Sequence, residues 1–188
     1  MNRGRLRIGK LSLSLSLILG LLALGIGFAF GAPGTRLSDP AGDQGSAPAG
    51  LDIASIDVTT TKSGTPEVTT HAITLCLSVC PPANVLACYV VSFGGCQLKF
   101  KWSGTGAWLY VKRNGQSSFE SIGQVSFEES SSGVNAGKCC LTITREAALL
   151  GSPTSPADVS AAAYLSEDAT GNPVDACPQA GVSLRHSW

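Results

Sequence analysis

Charge is scarce in this sequence, and its distribution excludes two classes of partner. Only 14% of the 188 residues are charged, with 13 basic and 13 acidic side chains in formal balance. Four of the basic residues, Arg3, Arg5, Arg7 and Lys10, precede residue 11, so the rest of the chain is acidic. An acidic chain lacks the electrostatic footprint that nucleic acid or anionic lipid requires. We therefore expect no nucleic-acid partner.

The sequence also lacks the common motifs of catalysis. There is no H-E-x-x-H, no G-x-S-x-G, no phosphate-binding loop and no G-x-G-x-x-G after a strand. The two histidines, His71 and His186, have no sequence context that marks a general base, and we expect both to be exposed. Glu120, Glu128 and Glu129 are either paired carboxylates or a solvated strand edge. The sequence therefore predicts a protein that is not an enzyme.

Long apolar runs are absent except for one at the N-terminus. Residues 1–10 are basic and residues 11–30 are uncharged and apolar, which is typical of an export signal. Ala29 and Gly31 are small residues placed for cleavage before Ala32. The alternative is a retained anchor helix, because 20 apolar residues are just enough to span a bilayer. We expect residues 1–31 to be a signal peptide or membrane anchor, with a membrane partner only if they are retained. The rest of the protein is then secreted or lies on the extracellular face of the cell envelope.

Glycine and proline, in contrast, are plentiful, with 22 Gly and 10 Pro. This composition fits turns better than helices. Alternating segments separated by turn residues predict an all-β, antiparallel β-sandwich of about eight or nine strands, jelly-roll or immunoglobulin-like. We expect residues 32–50 to be a flexible linker with an acidic loop, because Ala, Gly, Pro and Ser dominate them. Residues 51–188 form the predicted sandwich domain.

Residues 73–93 are predicted to form a central β-hairpin. Apolar residues alternate on both sides of a Pro-Pro-Ala-Asn break, which is typical of two strands joined by a turn. Cys76, Cys80 and Cys88 have the parity opposite to that of the larger apolar residues. Because successive side chains of a strand point to opposite faces, we expect these cysteines on the second face of the sheet.

Seven cysteines indicate disulfides with one thiol left over in an exported protein, or metal and redox chemistry in a cytosolic one. No C-x-x-C occurs, so neither a zinc knuckle nor a thioredoxin-type centre is expected. Adjacent Cys139 and Cys140 point to opposite faces of a strand and should have different partners. One set of pairings joins Cys76 with Cys88, and Cys139 or Cys140 with Cys177. The odd thiol is either an intermolecular link or a buried spectator. The disulfide candidates are Cys76, Cys80, Cys88, Cys96, Cys139, Cys140 and Cys177.

Four short segments carry a resemblance to a known group of domains. Residues 39–43 read D-P-A-G-D, residues 51–58 read L-D-I-A-S-I-D-V, residues 89–93 read Y-V-V-S-F and residues 174–178 read V-D-A-C-P. The chain resembles extracellular β-sandwich domains related to the DOMON group and the family 9 carbohydrate-binding modules. The resemblance implies a sandwich that binds sugars, haem or another ligand, often with a structural calcium near the acidic loop.

Aspartates of the acidic loop are the candidate metal ligands. Asp39, Asp43 and Asp52, with Asp57 or Asp175, offer the carboxylate oxygens that calcium prefers in a flexible loop. The alternative is that these aspartates serve only the turns, where Asp forms local backbone hydrogen bonds.

Three aromatic residues, Trp102, Trp108 and Tyr110, flank a Ser-Gly-Thr-Gly turn and form the candidate ligand platform. Rings of this kind stack on the CH faces of sugars, although they also pack in ordinary cores. The sequence therefore predicts an exported, non-catalytic binding or surface-accessory module with a polysaccharide or cell-surface partner. The alternatives are a haem- or metal-carrying redox module and a structural subunit of a cell-surface assembly.

Overall fold

A computed structural model describes residues 34–178 and 184–188. The predicted signal peptide or anchor helix over residues 1–31 lies outside the described residues. Within the described ranges, no helix is long and apolar enough to cross a membrane. Three short 3-10 helices cover Ala49–Leu51, Gly133–Asn135 and Ala147–Leu150.

Strands dominate the described part of the chain. Twelve strands are present there, where the sequence predicts about eight or nine. The count differs because four of the strands have four residues or fewer, too short to show alternation. The strands are β1 (Thr35–Ser38), β2 (Ile53–Ser63), β3 (Val68–Leu77), β4 (Ala87–Phe93), β5 (Cys96–Trp102), β6 (Ala107–Lys112), β7 (Glu120–Val125), β8 (Glu128–Glu129), β9 (Cys139–Glu146), β10 (Ala157–Tyr164), β11 (Asp175–Cys177) and β12 (Leu184–His186).

The strands form two antiparallel sheets. Sheet A has the order β1-β2-β3-β9-β8, and sheet B has the order β11-β10-β4-β5-β6-β7, with β12 also paired to β10. Apolar side chains of both sheets meet in one core. The all-β class and the antiparallel two-sheet arrangement predicted from the sequence are therefore confirmed.

The core follows from the period of two along each strand. On β5, for example, Leu98 and Phe100 are buried, whereas Gln97, Lys99 and Lys101 are partly exposed on the other face. Each fully buried Leu, Ile or Phe contributes about 2 kcal/mol relative to an exposed one. The largest fully buried side chains are Tyr89, Phe93, Phe100, Leu51, Ile53, Ile56, Ile73, Leu75, Leu77, Leu98, Leu109 and Leu141.

The predicted hairpin over residues 73–93 is wrong. Strand β3 pairs with β2 and β9 in sheet A, whereas β4 pairs with β10 and β5 in sheet B. Residues 78–86 therefore cross between the sheets. Gly104 allows this path because a Cβ there would lie 2.0 Å from the carbonyl oxygen of Ala83. Trp102 fixes it through an indole N–H that donates to the carbonyl of Pro82 at 3.1 Å.

Part of the predicted linker is ordered into the sandwich. Strand β1 lies within residues 32–50 and pairs with β2, with Thr35 opposite Val58 and Ser38 opposite Ser55. Four residues at a sheet edge give no alternation signal that stands out from an Ala-, Gly- and Pro-rich segment. The prediction that all of residues 32–50 would be flexible is therefore corrected at β1.

Two disulfides join β9 to the end of β3 and the crossing segment. Cys76 bonds to Cys140, which lies directly opposite it on β9, and Cys80 bonds to Cys139. Different partners for the adjacent Cys139 and Cys140 are thus confirmed. The predicted bonds of Cys76 to Cys88 and of either adjacent cysteine to Cys177 are wrong, because β4 and β11 belong to the other sheet.

Three thiols are free, rather than the single one predicted. Cys88, Cys96 and Cys177 are all buried, and we call them the three buried thiols. Burial raises the pKa of Cys88 and of Cys96 to about 11 and that of Cys177 to about 12. These groups therefore stay protonated and unreactive at neutral pH.

Candidate functional site

Strand pairing brings the acidic loop together with a distant aspartate. Asp39 follows β1 and donates its backbone N–H to the carbonyl of Ala54 on β2 at 3.1 Å. Asp175 opens β11, and its carboxylate accepts the backbone N–H of Ile53 at 2.5 Å. Asp39, Asp43 and Asp175 consequently offer carboxylate oxygens that all lie within 4.8 Å of one another.

Asp52 lies beside these three aspartates, since its charge acts on Asp39 and Asp175. Its side chain is 2% exposed, and one carboxylate oxygen accepts the backbone N–H of Gly42 at 2.9 Å. The other oxygen is buried and has no hydrogen-bond partner among the described residues, as is also true of Oδ2 of Asp39. A buried acceptor without a donor is costly, so these oxygens are open to a bound cation. Asp39, Asp43, Asp52 and Asp175 are called the aspartate cluster below.

Burial and mutual repulsion raise the pKa of two carboxyl groups in the aspartate cluster. Burial, followed by the charges of Asp175, Asp43 and Asp52, raises the pKa of Asp39 from 3.8 to about 7. Burial also raises the pKa of Asp175, with the charges of Asp43 and Asp52 adding to the shift. A bound cation would offset this repulsion between neighbouring carboxylates.

The donor set of this cluster fits a hard cation. Ca²⁺ takes six to eight oxygen ligands at about 2.4 Å, so oxygens on opposite sides of the ion lie about 4.8 Å apart. All the side-chain donors are carboxylate oxygens, with no thiolate or imidazole that would favour zinc. The sequence prediction named Asp39, Asp43 and Asp52 with either Asp57 or Asp175, and the structure places Asp175 beside Asp39 and Asp43. Asp57 lies elsewhere, paired with Arg36 at 3.1 Å.

The predicted aromatic platform is only partly assembled. Trp108 and Tyr110 face outward from β6, while Leu109 between them and Val111 after them are buried. Trp108 is 44% exposed. Trp102 instead takes the core-facing parity of β5 and packs edge-on against Phe127, so its place in the platform is a wrong prediction.

Trp108 and Tyr110 belong to two of three cross-strand rows of side chains on the outer face of sheet B. They follow directly from the register of β10, β4, β5, β6 and β7. One row is entirely polar and borders an open cavity of about 370 Å³. The rows are Ser160-Ser92-Gln97-Lys112, Ala162-Val90-Lys99-Tyr110-Ser121 and Tyr164-Cys88-Lys101-Trp108-Gln124.

The two histidines are buried, which corrects the prediction that both are exposed. Both are 0% exposed, and the hydroxyl of Thr60 bridges them at 2.8 Å from Nδ1 of His71 and 2.7 Å from Nε2 of His186. Phe93 and Trp188 pack on their rings. Burial, with the nearby His186, lowers the pKa of His71 from 6.5 to about 4. Neither imidazole is therefore available to an external ligand.

The candidate glutamates lie in two different sheets, Glu120 on β7 of sheet B and Glu128 and Glu129 on β8 of sheet A. Glu120 contacts Arg113, and the adjacent Glu128 and Glu129 form the short edge strand β8. A second open cavity of about 480 Å³ lies beside β8, where Cys140 and Thr142 contribute to its lining. The solvated-edge interpretation describes these residues best.

Comparison of the chain with protein-family models, curated proteins and solved structures finds no match. The resemblance to the DOMON group and the family 9 carbohydrate-binding modules therefore stays a prediction. Function has to be argued from the two sites of this structure, the aspartate cluster and the outer face of sheet B.

Proposed function

We propose that this chain is an exported, non-catalytic binding module that holds polysaccharide on the outer face of sheet B. The observation that carries the proposal is the placement of Trp108 and Tyr110 on one solvent-facing surface beside a polar row. Aromatic rings stack on the apolar faces of pyranose rings. The hydroxyls of Ser92 and Ser160 and the amide of Gln97 are suited to bind sugar hydroxyls.

The cysteines support export. Two disulfides indicate an oxidising environment, since such bonds are rare in the cytosol. Together with the predicted signal peptide, they favour secretion or attachment to the outer face of the cell envelope. The jelly-roll or immunoglobulin-like topology and the likeness to family 9 carbohydrate-binding modules belong to this proposal.

A structural Ca²⁺ completes the proposed module. The ion would bind the aspartate cluster, where Asp52 presents a buried oxygen without a partner. It would link the loop after β1, the start of β2 and the start of β11, so its role is to hold the sandwich together. The ligand face lies on a different surface, and no step of ligand binding passes through the metal.

The two alternative functions have less support. A redox module with haem or metal needs an accessible imidazole or thiolate, whereas both histidines and the three buried thiols are enclosed. A subunit linked through an odd cysteine needs an exposed thiol, and the described chain offers none.

Retention on immobilised polysaccharides tests the proposal. The protein is passed over a panel of neutral and acidic polymers, and Trp108→Ala is expected to weaken retention by about tenfold through lost stacking. Val134→Ala is the matched control, because Val134 is 77% exposed and lies in the 3-10 helix Gly133–Asn135, where Asn135 contacts Arg36 of sheet A. Equal retention of Trp108→Ala and the unsubstituted protein, or no retention by any polymer, would contradict the proposal.

A further inference from the structure

We infer that the polysaccharide is acidic and that Lys99, Lys101 and Lys112 bind its carboxylate or sulfate groups. This inference rests on the proposed function of the outer face of sheet B and names its ligand class. Each of the three cross-strand rows contains one of these lysines. Successive rows are two residues apart along the strands, or about 7 Å. Positive charge is therefore repeated along the same direction as the aromatic pair.

This concentration of positive charge is unusual for the chain. Only nine Lys and Arg residues follow residue 11, against 13 Asp and Glu. Three of those nine share one face of β5 and β6. An otherwise acidic domain would repel an acidic polymer, so the local lysines determine which face such a polymer approaches.

Aromatic rings contact Lys99 and Lys112 but do not neutralise their positive charge. Nζ of Lys99 lies 4.3 Å from the centroid of the Phe119 ring and 5.5 Å from that of Tyr110. Nζ of Lys112 lies 5.8 Å from the Phe119 centroid. Neither lysine forms an ion pair within the described part of the chain. Their ammonium groups can donate hydrogen bonds to a ligand anion.

Lys101 already binds a carboxylate of the chain itself, so this face can bind a carboxylate group. Its Nζ lies 2.6 Å from a carboxylate oxygen of Asp168, whose side chain is 67% exposed. The hydrogen bond between them lowers the pKa of Asp168. An exposed pair of this kind has little net stability, so a ligand carboxylate can replace Asp168. Asp158, an acid that borders the cavity beside the polar row, is exposed and paired with Arg185 at 3.2 Å.

The polar row favours an acidic polysaccharide over an acidic peptide. Ser160, Ser92 and Gln97 lie in one line with Lys112, and a hydroxyl-rich polymer has partners for all of them. A peptide would satisfy the lysines alone and would gain little from two flat rings and three small polar groups.

The test measures binding to polygalacturonate, alginate and hyaluronate, each beside its carboxyl-reduced form, and to chondroitin sulfate beside its desulfated and carboxyl-reduced form, with polyglutamate as the peptide probe. We expect at least one acidic polysaccharide to bind about tenfold tighter than its reduced form. The Lys99→Gln/Lys112→Gln double variant should weaken that binding by about tenfold, since each exposed ion pair contributes up to about fivefold. The control Lys62→Gln/Lys138→Gln removes the same charge outside sheet B and should leave binding unchanged.

The outcomes separate this inference from the proposed function. Equal binding of a polymer and its reduced form, abolished by Trp108→Ala, would overturn the acidic ligand and leave the polysaccharide module intact. Polyglutamate binding as tight as that of the polysaccharides and insensitive to Trp108→Ala would show a site for charge alone, and would overturn both. Absence of binding to every polymer would also overturn both.

Discussion

Withdrawing calcium at pH 8 is expected to destabilise the domain, because Asp39, whose pKa is raised to about 7, is then mostly ionised beside three other aspartates. The experiment replaces about 1 mM Ca²⁺ with a chelator at pH 8 and repeats the exchange at pH 5. The calcium concentration is about the upper end of the Kd values of extracellular calcium modules. At the lower pH Asp39 holds a proton in the folded state, since its pKa is about 7. Calcium should therefore stabilise the protein at pH 8 and have little effect at pH 5.

The size of the expected change in stability follows from the raised pKa of Asp39. A pKa raised from 3.8 to about 7 corresponds to about 4 kcal/mol against the ionised folded state. Because Asp39 is partly exposed, solvent screening reduces this to about 2 kcal/mol. Without metal, the unfolding free energy falls as pH rises from about 4 to 7, since the folded state keeps a proton that the unfolded state has lost. Bound Ca²⁺ should recover that loss, which amounts to a rise in Tm of about 5 °C.

Thermal unfolding of matched variants measures this effect. Asp39→Asn removes one charge from the cluster, so it should raise the Tm in chelator at pH 8 and reduce the response to Ca²⁺. Asp158→Asn is the control, because Asp158 is an exposed carboxylate outside the cluster and should leave that response intact. An identical Tm with Ca²⁺ and with chelator at pH 8, or a full calcium response in Asp39→Asn, would refute the metal site.

Three further predictions concern stability and thiol chemistry. The two disulfides close nearly the same loop, with sequence separations of 64 and 59 residues. In denaturant, the free energy of unfolding should therefore fall by about 1 kcal/mol when either disulfide is removed and by about 4 kcal/mol when both are removed. Equal costs that add would argue against a shared loop. Because the pKa of His71 is lowered to about 4, the free energy of unfolding should fall as pH drops from about 6.5 to 4. The variant His71→Gln should reduce this dependence on pH. An unchanged dependence in the variant would exclude His71 as its source. The three buried thiols should resist alkylation in the native protein at pH 8 and react after unfolding without reductant, as intact mass will show; native alkylation would contradict their burial.

Local features were predictable from the sequence, whereas partners across the fold were not. Strand β5 is predicted and observed over the same residues, Cys96–Trp102, because its alternation is strong and a Gly-Gly turn precedes it. The hairpin over residues 73–93 failed because alternation defines a strand without naming its neighbour. Two strands that face each other across a core have the same pattern as two strands of a hairpin.

The same distinction holds for the candidate sites. Three aspartates near residues 39–52 were predicted together because they are close in the chain, but Asp175 reached them only through the pairing of β11 with β10. Parity correctly gave Cys139 and Cys140 different partners, although the partners themselves depend on the register of β9 against β3. The burial of His71 and His186 had no local signal, since Thr60 bridges them from a separate strand.

The connection of the disulfides has a consequence for biogenesis. Cys76 and Cys80 leave the ribosome well before their partners, which follow 64 and 59 residues later. Cys88 and Cys96 emerge in between, while β3 still lacks β9 as its second neighbour. If the chain is exported as proposed, its cysteines meet oxidant in that order, from the N-terminus onward. Early bonds among these four thiols have to be exchanged before the native pairs form, so we expect the yield of correctly bonded protein to depend on a disulfide isomerase in the producing cell.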